Sequence, residues 1–353
     1  MRPNHRLRFL TLPLAALWVC VLPAVAFAQA NFYQGKTITL VRGVGPGGLA
    51  EMRTRALIPS LQKHIAGNPT VILEFMPGGG GRKAANHIYS VVRPDGLTIG
   101  NAGSGLIYST LLGLPGIMYD SNKFFYLGSE FSESTYVFIT KKELDSIEKL
   151  QSTPGIRIGA HSVGHVVYTY VRFFAWILGL KDPKFVTGYS SPEMDVALTS
   201  GELDARTNAL QSVIQRKPEW VEKGLMHFHA VIEVPKGARL RHPSFDRLPE
   251  LGTFARSETE KKVLATFRDS ISVGAPYILP SGTPQERVDI LQEGFRKAYQ
   301  DPEFLQRFQK MTGDDASPLL PKEQEKMIRA IETDPDTVQL FKRLAGGGSL
   351  PPR

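Results

Sequence analysis

The glycines of Gly43-Val44-Gly45-Pro46-Gly47-Gly48 have the type and spacing of an anion-binding turn. They follow a β-branched apolar run at residues 37–41 and precede a helical pattern at residues 52–65. A strand, a glycine turn and a helix start gather backbone N–H groups at the positive end of a helix dipole, where anions bind. This order predicts that the protein holds an anionic small molecule.

The same glycines fit the dinucleotide fingerprint, Gly43-x-Gly45-x-x-Gly48, with Glu74 at the end of the next strand-like run. Pro46 lacks one of the N–H groups that a pyrophosphate would use. Glycine-rich turns after strands are common, so the spacing alone does not identify a nucleotide site. An exported enzyme or nucleotide-binding protein that uses the turn Gly43–Gly48 is therefore the alternative function.

The N-terminus has the three parts of a secretory signal peptide. It has a basic region without acids, an apolar stretch at residues 9–25 and a small-residue cleavage site, Ala26-Phe27-Ala28. We therefore predict that residues 1–28 are removed near Ala28 on export to the periplasm. A transmembrane anchor is the alternative, but Pro13 and Pro23 interrupt the stretch, which is short for a span.

Cys20 is the only cysteine of the chain and lies inside the predicted signal peptide. The preceding Leu17-Trp18-Val19 departs from a lipoprotein box, which requires small residues where Trp18 and Val19 stand. The exported protein would then have no disulfide, no thiolate metal ligand and no cysteine nucleophile. Export to a compartment poor in free NAD also argues against a dehydrogenase, and we expect no cofactor.

The composition limits the partners. The chain has 353 residues and a net charge of +8, of which Arg2, Arg6 and Arg8 would leave with the signal peptide, giving +5. The basic residues are scattered and are not interleaved with aromatic residues, so we expect no nucleic acid partner. About 325 residues remain, enough for two domains.

Strand-like and helix-like runs alternate along the chain, which predicts an α/β fold with parallel sheets. The strand-like runs are residues 37–42, 70–75, 97–101, 136–140, 156–160, 184–187, 203–206 and 226–234. The helix-like runs are residues 50–65, 82–92, 105–112, 165–178, 193–199, 212–222, 258–269, 283–300, 302–311, 321–333 and 337–345. We expect two lobes, each a mostly parallel sheet flanked by helices.

The predicted domain boundaries follow from two such series. Domain 1 takes residues 31–130 and 227–345, domain 2 takes residues 131–226, and residues 346–353 form a flexible tail. Residues 235–249, rich in proline and basic residues, are expected to be an exposed loop.

Polar or glycine-rich turns follow four of the predicted strands. Their sequences are Gly43–Glu51, Met76-Pro77-Gly78-Gly79-Gly80-Gly81, Gly103-Ser104-Gly105 and Ala160-His161-Ser162-Val163-Gly164-His165. Open α/β sheets bind ligands at the carboxyl ends of their strands. Two units that face each other would line a shared cleft with these turns and could close on a ligand about a hinge.

Several motifs together resemble the Bug-type solute receptors of tripartite tricarboxylate transporters. They are the strand 36–41 with its Pro46-Gly47-Gly48 turn and an acid at Glu51, Pro77–Gly81, Arg93-Pro94-Asp95-Gly96-Leu97-Thr98, Tyr189 with Gly201-Glu202-Leu203-Asp204 and Asn208, and Leu279-Pro280-Ser281-Gly282-Thr283-Pro284. The resemblance covers nearly all of the predicted mature chain. It implies a monomeric, two-lobed, periplasmic-binding-protein-like (Venus flytrap) receptor without catalysis, which delivers a small carboxylate to integral-membrane transporter subunits.

The resemblance also implies a set of ligand-binding residues. In the first domain they are Gly45, Pro46, Gly47, Gly48, Leu49, Ala50, Glu51, Gly78, Gly79, Gly80 and Ser104, and in the second they are Ser162, Val163, Gly164, His165, Tyr189, Asp204 and Asn208. The chain departs from the family pattern at Glu51, usually aspartate, and at His161 and His165, usually smaller or polar. These departures concern the identity of the ligand more than the fold.

Other constellations have simpler interpretations. The pair His161 and His165 lacks an HExxH frame, so we expect no metal site. Ser162 and Ser104 lack the Gly-x-Ser-x-Gly elbow of many hydrolases. Paired acids, Asp314-Asp315 and Glu130 with Glu133, fall in loop-like regions and are expected to be solvated. The aromatic stretch 171–180 is expected to be core.

Overall fold

The computed structural model describes residues 32–331 and 334–353. The predicted signal peptide, residues 1–28, and Cys20 lie outside the described residues. Within the part of the chain that is described, no helix has the length and apolar character needed to cross a bilayer.

The described chain contains ten strands and thirteen α-helices. The strands are β1 (Thr37–Arg42), β2 (Thr70–Phe75), β3 (Thr98–Asn101), β4 (Phe125–Tyr126), β5 (Ser134–Lys141), β6 (Arg157–Gly159), β7 (Lys184–Val186), β8 (Ala205–Ala209), β9 (Met226–Val234) and β10 (Tyr277–Leu279). The helices are α1 (Leu49–His64), α2 (Arg82–Ser90), α3 (Gly105–Leu112), α4 (Ile147–Ser152), α5 (Val166–Leu178), α6 (Ser191–Thr199), α7 (Leu210–Arg216), α8 (Pro218–Glu222), α9 (Glu258–Ser272), α10 (Gln285–Tyr299), α11 (Pro302–Thr312), α12 (Pro321–Ala330) and α13 (Pro335–Ala345).

The first sheet has the order β2-β1-β3-β10-β4. Strand β1 pairs in parallel with β2 and β3, while β10 is antiparallel to both β3 and β4. The carboxyl ends of β1, β2 and β3 therefore lie at one edge of the sheet. The three predicted ligand loops of the first lobe begin at that edge.

The second sheet has the order β7-β6-β8-β5-β9. Strand β6 is parallel to β7 and β8, and β5 is antiparallel to β8 and β9. Because β9 pairs with β5 over Met226–Val234, this sheet extends past residue 226, where the sequence placed the end of domain 2. Strand β9 thus belongs to the second sheet and not to the returning part of domain 1.

The predicted class, an α/β fold of two sheets flanked by helices, is confirmed. Each sheet is mixed, because antiparallel strands extend its parallel half. Strands β4 and β10 are only two and three residues long, too short to show a periodic pattern in the sequence. Residues 235–249 contain no helix or strand, as expected.

Helix α5 forms the centre of the largest apolar core. Its residues from Tyr168 to Leu178 are all buried, which explains why the sequence there is mostly apolar around the whole helix. Phe173 stacks on Phe267 of α9 with ring centroids 4.5 Å apart, and both rings meet Phe341 of α13 edge-on. The same core includes Tyr108 of α3, so one core joins helices that flank both sheets.

The C-terminal tail packs against α5, which differs from the flexible tail expected from its glycines and prolines. The Trp176 indole donates to the Pro351 carbonyl oxygen at 2.9 Å. Arg353 donates to the Glu260 carboxylate from two nitrogens, at 2.9 and 2.8 Å. These contacts fix both the middle and the end of the tail.

Candidate functional site

Three loops converge at the carboxyl edge of the first sheet. A β-carbon placed on Gly81 would lie 1.8 Å from the Ala102 carbonyl oxygen, and one on Gly43 would lie 3.0 Å from the Gly81 α-carbon. A β-carbon on Gly105 would lie 2.9 Å from the Gly80 carbonyl oxygen. The backbones after β1, β2 and β3 are therefore in direct contact. This is possible because glycine has no β-carbon at the points of contact.

The carboxylate of Glu51 holds the conformation of the loop Gly43–Glu51. Glu51 accepts a hydrogen bond from the Gly47 N–H at 2.6 Å and another from Arg55 Nε at 2.6 Å. The Gly47 N–H, and then Arg55, hold the pKa of Glu51 below its usual range. Glu51 thus shapes the loop, while the first turn of α1, which begins at Leu49, directs its own N–H groups outward.

A cavity of about 160 Å³ lies between the two lobes. From the first lobe it is lined by Val44, Ala50 and Ser104, and from the second by Ser134, Val166 and Tyr170. Two of these positions, Ala50 and Ser104, are among the predicted ligand-binding residues. The cavity lies where the strand-end loops of the first lobe meet the start of α5, as expected for a cleft shared by two facing sheets.

Arg42, which lines this cavity, belongs to a buried ion pair. Arg42 Nη1 lies 3.5 Å from Glu130 Oε1, and the two side chains are 3% and 1% exposed. Arg42 also donates to Thr54 and, at 3.5 Å, to the Tyr277 hydroxyl. The expectation that Glu130 is solvated was wrong, because the carboxylate neutralises an arginine at the end of β1.

A second arginine, Arg53, lines the same cavity. Its guanidinium carbon stands 3.6 Å from the centre of the Phe131 ring. Its Nε is buried and has no hydrogen-bond partner among the described residues. Burial lowers the pKa of Arg53, and nearby Glu130 and Asp314 oppose that change.

Two stacked tyrosines close the second-lobe side of the cavity. The rings of Tyr136 and Tyr170 have centroids 3.8 Å apart and an interplanar angle of 14°. The Tyr170 side chain is fully buried, and its hydroxyl forms no hydrogen bond within the described chain. Burial raises the pKa of Tyr170. The hydroxyl is therefore a neutral donor beside the cavity.

The predicted loop of the second lobe touches the first lobe. A β-carbon on Gly80 would lie 3.7 Å from the Gly164 carbonyl oxygen. The His165 ring nitrogen Nδ1 accepts from the Val167 N–H at 3.1 Å and so caps α5. Burial, and then His161, lower the pKa of His165 to about 3, so this ring is neutral at pH 7.

The rings of His161 and His165 contact each other at an interplanar angle of 34°, with centroids 4.3 Å apart. His161 Nε2 lies 3.3 Å from the Ser191 hydroxyl oxygen. In the described ranges, no three histidine, cysteine or acidic side chains come together as a metal site would require. His165 therefore serves as a helix cap in this structure.

Two predicted ligand residues of the second lobe are exposed, and a third, Tyr189, is partly buried. Ser162 and Val163 lie on the surface, and a β-carbon on Gly347 of the tail would lie 3.6 Å from Val163. Tyr189 donates a short hydrogen bond to Glu202 on the surface. In this arrangement the three side chains do not line the cavity.

Asp204 lies at the far edge of the second sheet. It precedes β8 and accepts from the Arg157 backbone N–H and Nε, both at 2.9 Å, at the start of β6. Lys141 Nζ lies 2.8 Å from the other carboxylate oxygen. Because β6 and β8 are parallel, this is the amino edge, opposite the cavity. The position and these contacts argue against ligand contact by Asp204.

Asn208 lies at the opposite end of β8, on the cavity side. Its Oδ1 accepts from the Ala209 N–H at 3.0 Å, in the turn that leads into α7. Of the two polar residues of the Gly-x-x-Asp-x-x-x-Asn motif, only Asn208 therefore lies at this end of β8, and neither lines the cavity.

Asp204→Asn is expected to lower the free energy of unfolding by about 2 kcal/mol, because it weakens a set of charge-assisted hydrogen bonds. Arg157 and Lys141 hold the folded-state pKa of Asp204 below the usual value of about 3.9. The stabilisation is therefore fully present above pH about 4 and is lost as the pH falls through the folded-state pKa.

Urea unfolding of both proteins between neutral and acidic pH measures this difference. We expect it to be constant near pH 7 and to shrink below pH about 4. Calorimetric affinity for the bound acid should be unchanged at pH 7. A variant of unchanged stability that loses the ligand would place Asp204 in the site.

Sequence reasoning did not find Arg53, Tyr136 or Tyr170. Two signals were present. Arg53 is three residues after Ala50 on α1, and Tyr170 is four residues after Val166 on α5, so each shares a helix face with a cavity-lining residue. That these faces meet depends on how the two sheets pack, which no local pattern shows.

No family model matches the sequence, and no curated protein matches it either. Solved structures of the same fold do match. The periplasmic binding protein BugD has a TM-score of 0.65 at 19% identity, with 89% of this chain and 99% of BugD covered.

Two further structures were solved with ligands. MatC from Rhodopseudomonas palustris, solved with malate, has a TM-score of 0.62 at 17% identity, covering 88% of this chain and 99% of MatC. Rpa4515 from R. palustris, solved with adipate, has a TM-score of 0.63 at 18% identity, covering 87% of this chain and 97% of its own. At these identities the likeness establishes the two-lobed fold.

Proposed function

We propose that this protein is a periplasmic solute receptor that closes its two lobes on a small organic acid. It would deliver the acid to membrane subunits of a tripartite tricarboxylate-type transporter, as a monomer, without catalysis and without binding nucleic acid. The observation that carries the proposal is the cavity between the lobes, where a helix start, Ser104 and a cation, Arg53, face one another.

The chemistry of the cavity suits a carboxylate. The first-turn N–H groups of α1 and the Ser104 hydroxyl are donors, and donors aimed at an anion form short, strong hydrogen bonds. Closure of the lobes would remove water from these bonds and strengthen them. MatC and Rpa4515, which share the fold, were solved with malate and adipate, both dicarboxylates.

The nucleotide alternative has less support. Glu51 already accepts a hydrogen bond from the Gly47 N–H, and Pro46 has no backbone N–H. Few free N–H groups therefore remain in the loop for a pyrophosphate. The cavity of about 160 Å³ is also far below the 300–1,000 Å³ typical of drug-sized ligands.

A thermal-shift screen tests the proposal. Short dicarboxylates, tricarboxylates and monocarboxylates should include stabilising ligands, while NAD and FAD should give no shift. At a hundredfold excess over Kd the expected stabilisation is about 2.7 kcal/mol. Native mass spectrometry of the purified protein would identify any acid that co-purifies. Stabilisation by nucleotides alone would overturn the proposal.

Gly47→Val is expected to weaken binding of the cognate acid about tenfold in a folded protein. Gly47 has φ +84°, which strains any residue with a β-carbon by about 1–2 kcal/mol. Relief of that strain would pull the Gly47 N–H away from Glu51 and distort the start of α1. Isothermal titration calorimetry measures the loss.

Gly35→Val is the matched control, since Gly35 has φ +69° and equally open surroundings but lies before β1, at the opposite edge of the sheet. The two variants should lose similar stability, and only Gly47→Val should lose affinity. Equal affinities would remove this loop from the site.

A further inference from the structure

Arg53 combines a buried nitrogen with the absence of an anionic partner. No described residue accepts a hydrogen bond from its buried Nε, and no carboxylate within the described ranges lies within 4 Å of its guanidinium. Burying a cation is costly unless it is paired. An unpaired guanidinium in a cleft therefore indicates a site for an external anion.

The nearby acids do not provide that partner. Glu130 pairs with Arg42 at 3.5 Å, so the two neutralise each other. Asp314 is close enough to affect the pKa of Arg53 but forms no ion pair with it. Arg53 therefore contributes a positive charge to the cavity wall that no nearby carboxylate neutralises.

A second cavity, of about 390 Å³, also borders Arg53, and its lining argues against an anion there. Its other charged lining residues are Glu133, Asp314, Asp315, Arg239 and Arg241. The acids outnumber these two arginines, and Arg239 already pairs with Glu233 at 2.6 Å. The smaller cavity between the lobes is thus the better place for the anion.

Neighbouring groups prepare Arg53 for a planar acid group. The Phe131 ring at 3.6 Å holds the guanidinium plane and leaves its N–H edge for a bidentate partner. Tyr170 and Ser134 both line the same cavity. The Tyr170 hydroxyl lies near Ser134 but forms no hydrogen bond within the described chain, so the two hydroxyls can both turn to a ligand. The guanidinium and the two hydroxyls are hydrogen-bond donors, and a carboxylate can accept hydrogen bonds from all of them.

The spacing limits the ligand. Ala50, in the first turn of α1, and Arg53 both line the cavity and are separated by about 4.5 Å along the helix axis. The cavity volume of about 160 Å³ corresponds to about five water molecules. A molecule with acid groups at both places must therefore be compact.

We infer that Arg53, with the Tyr170 hydroxyl, forms a second carboxylate subsite, so that the receptor selects compact dicarboxylates over monocarboxylates of equal length. This inference rests on the proposed function. The first carboxylate binds at the start of α1 and at Ser104. The second binds at Arg53.

Isothermal titration calorimetry with paired probes tests it. Malonate, succinate, glutarate and adipate are each compared with the linear monocarboxylate of the same carbon number. The wild type should bind its best diacid about 30-fold more tightly than the matching monoacid. Arg53→Met should remove most of that preference, because it weakens binding of the diacid much more than binding of the monoacid.

Arg329→Met is the matched control, because Arg329 lies on α12, is 68% exposed and pairs with Glu325 on the same helix. Tyr170→Phe, which removes one oxygen, should weaken diacid binding alone, by about fivefold. It provides a second test if Arg53→Met does not fold, as judged by circular dichroism.

The outcomes separate the inference from the proposed function. A wild type that binds diacids and monoacids equally, or an Arg53→Met protein that loses both equally, overturns the subsite and leaves the receptor intact. A wild type that binds no carboxylate in the panel, and carries none in native mass spectrometry, overturns the proposed function and the subsite with it.

Discussion

Gly81→Ala is expected to lower the free energy of unfolding by about 4 kcal/mol, and to abolish binding of the acid. The new β-carbon would stand 1.8 Å from the Ala102 carbonyl oxygen, so the loops after β2 and β3 would have to separate. Alanine would also adopt φ +95°, which costs about 1–2 kcal/mol, and overpacking adds about 1–3 kcal/mol.

Urea unfolding followed by circular dichroism measures the stability change, and calorimetry measures binding. Gly35→Ala is the control, because Gly35 also has a positive φ but no atom within 4 Å of its β-carbon position. It should lose about 1 kcal/mol and keep its affinity. Similar losses of stability for the two variants would show that the contact with Ala102 does not determine how the loops after β2 and β3 pack.

Local patterns in the sequence were sufficient to predict much of the fold. Strands β1, β2 and β9 begin and end where their apolar runs predict, since each has six or more residues and a clear pattern. Strands β4 and β10 were missed because two or three residues cannot show a period, and they form by pairing with distant segments. These two strands therefore depend on tertiary contacts, which a local sequence pattern does not show.

The site was predicted only in part, for a related reason. Glycine turns after strands are local features, and they led directly to the loops that contain Ala50 and Ser104. Asp204 was assigned to the cleft from the motif resemblance alone, and the strand near it was predicted at residues 203–206, whereas β8 begins at Ala205. The residue therefore precedes the strand and lies at its amino edge.

The charges in the cavity could not be predicted from spacing. Arg42 ends an apolar strand, and its partner Glu130 lies in a loop almost ninety positions later, so their pairing depends on the packing of the chain. Arg53 resembles any exposed helix arginine in the sequence. Only the position of Phe131 and of the second lobe shows that its Nε is buried.

Phe267→Ala is expected to lower the free energy of unfolding by about 4 kcal/mol, because truncating a buried phenylalanine removes apolar contacts and leaves a cavity. Phe267 contacts the rings of Phe173 and Phe341, and its ring centroid is 4.8 Å from that of Tyr170. The substitution therefore also loosens the tyrosine that lines the cavity, and we expect affinity for a diacid to fall with stability.

Urea unfolding monitored by tryptophan fluorescence and by circular dichroism measures this loss. Leu305→Ala on α11, where the side chain is 39% exposed, is the control and should cost about 1 kcal/mol without changing affinity. Since the core around Phe267 joins helices from both sheets, the two probes should report one transition for Phe267→Ala. Two separate transitions would show that the lobes unfold independently and that this core does not couple them.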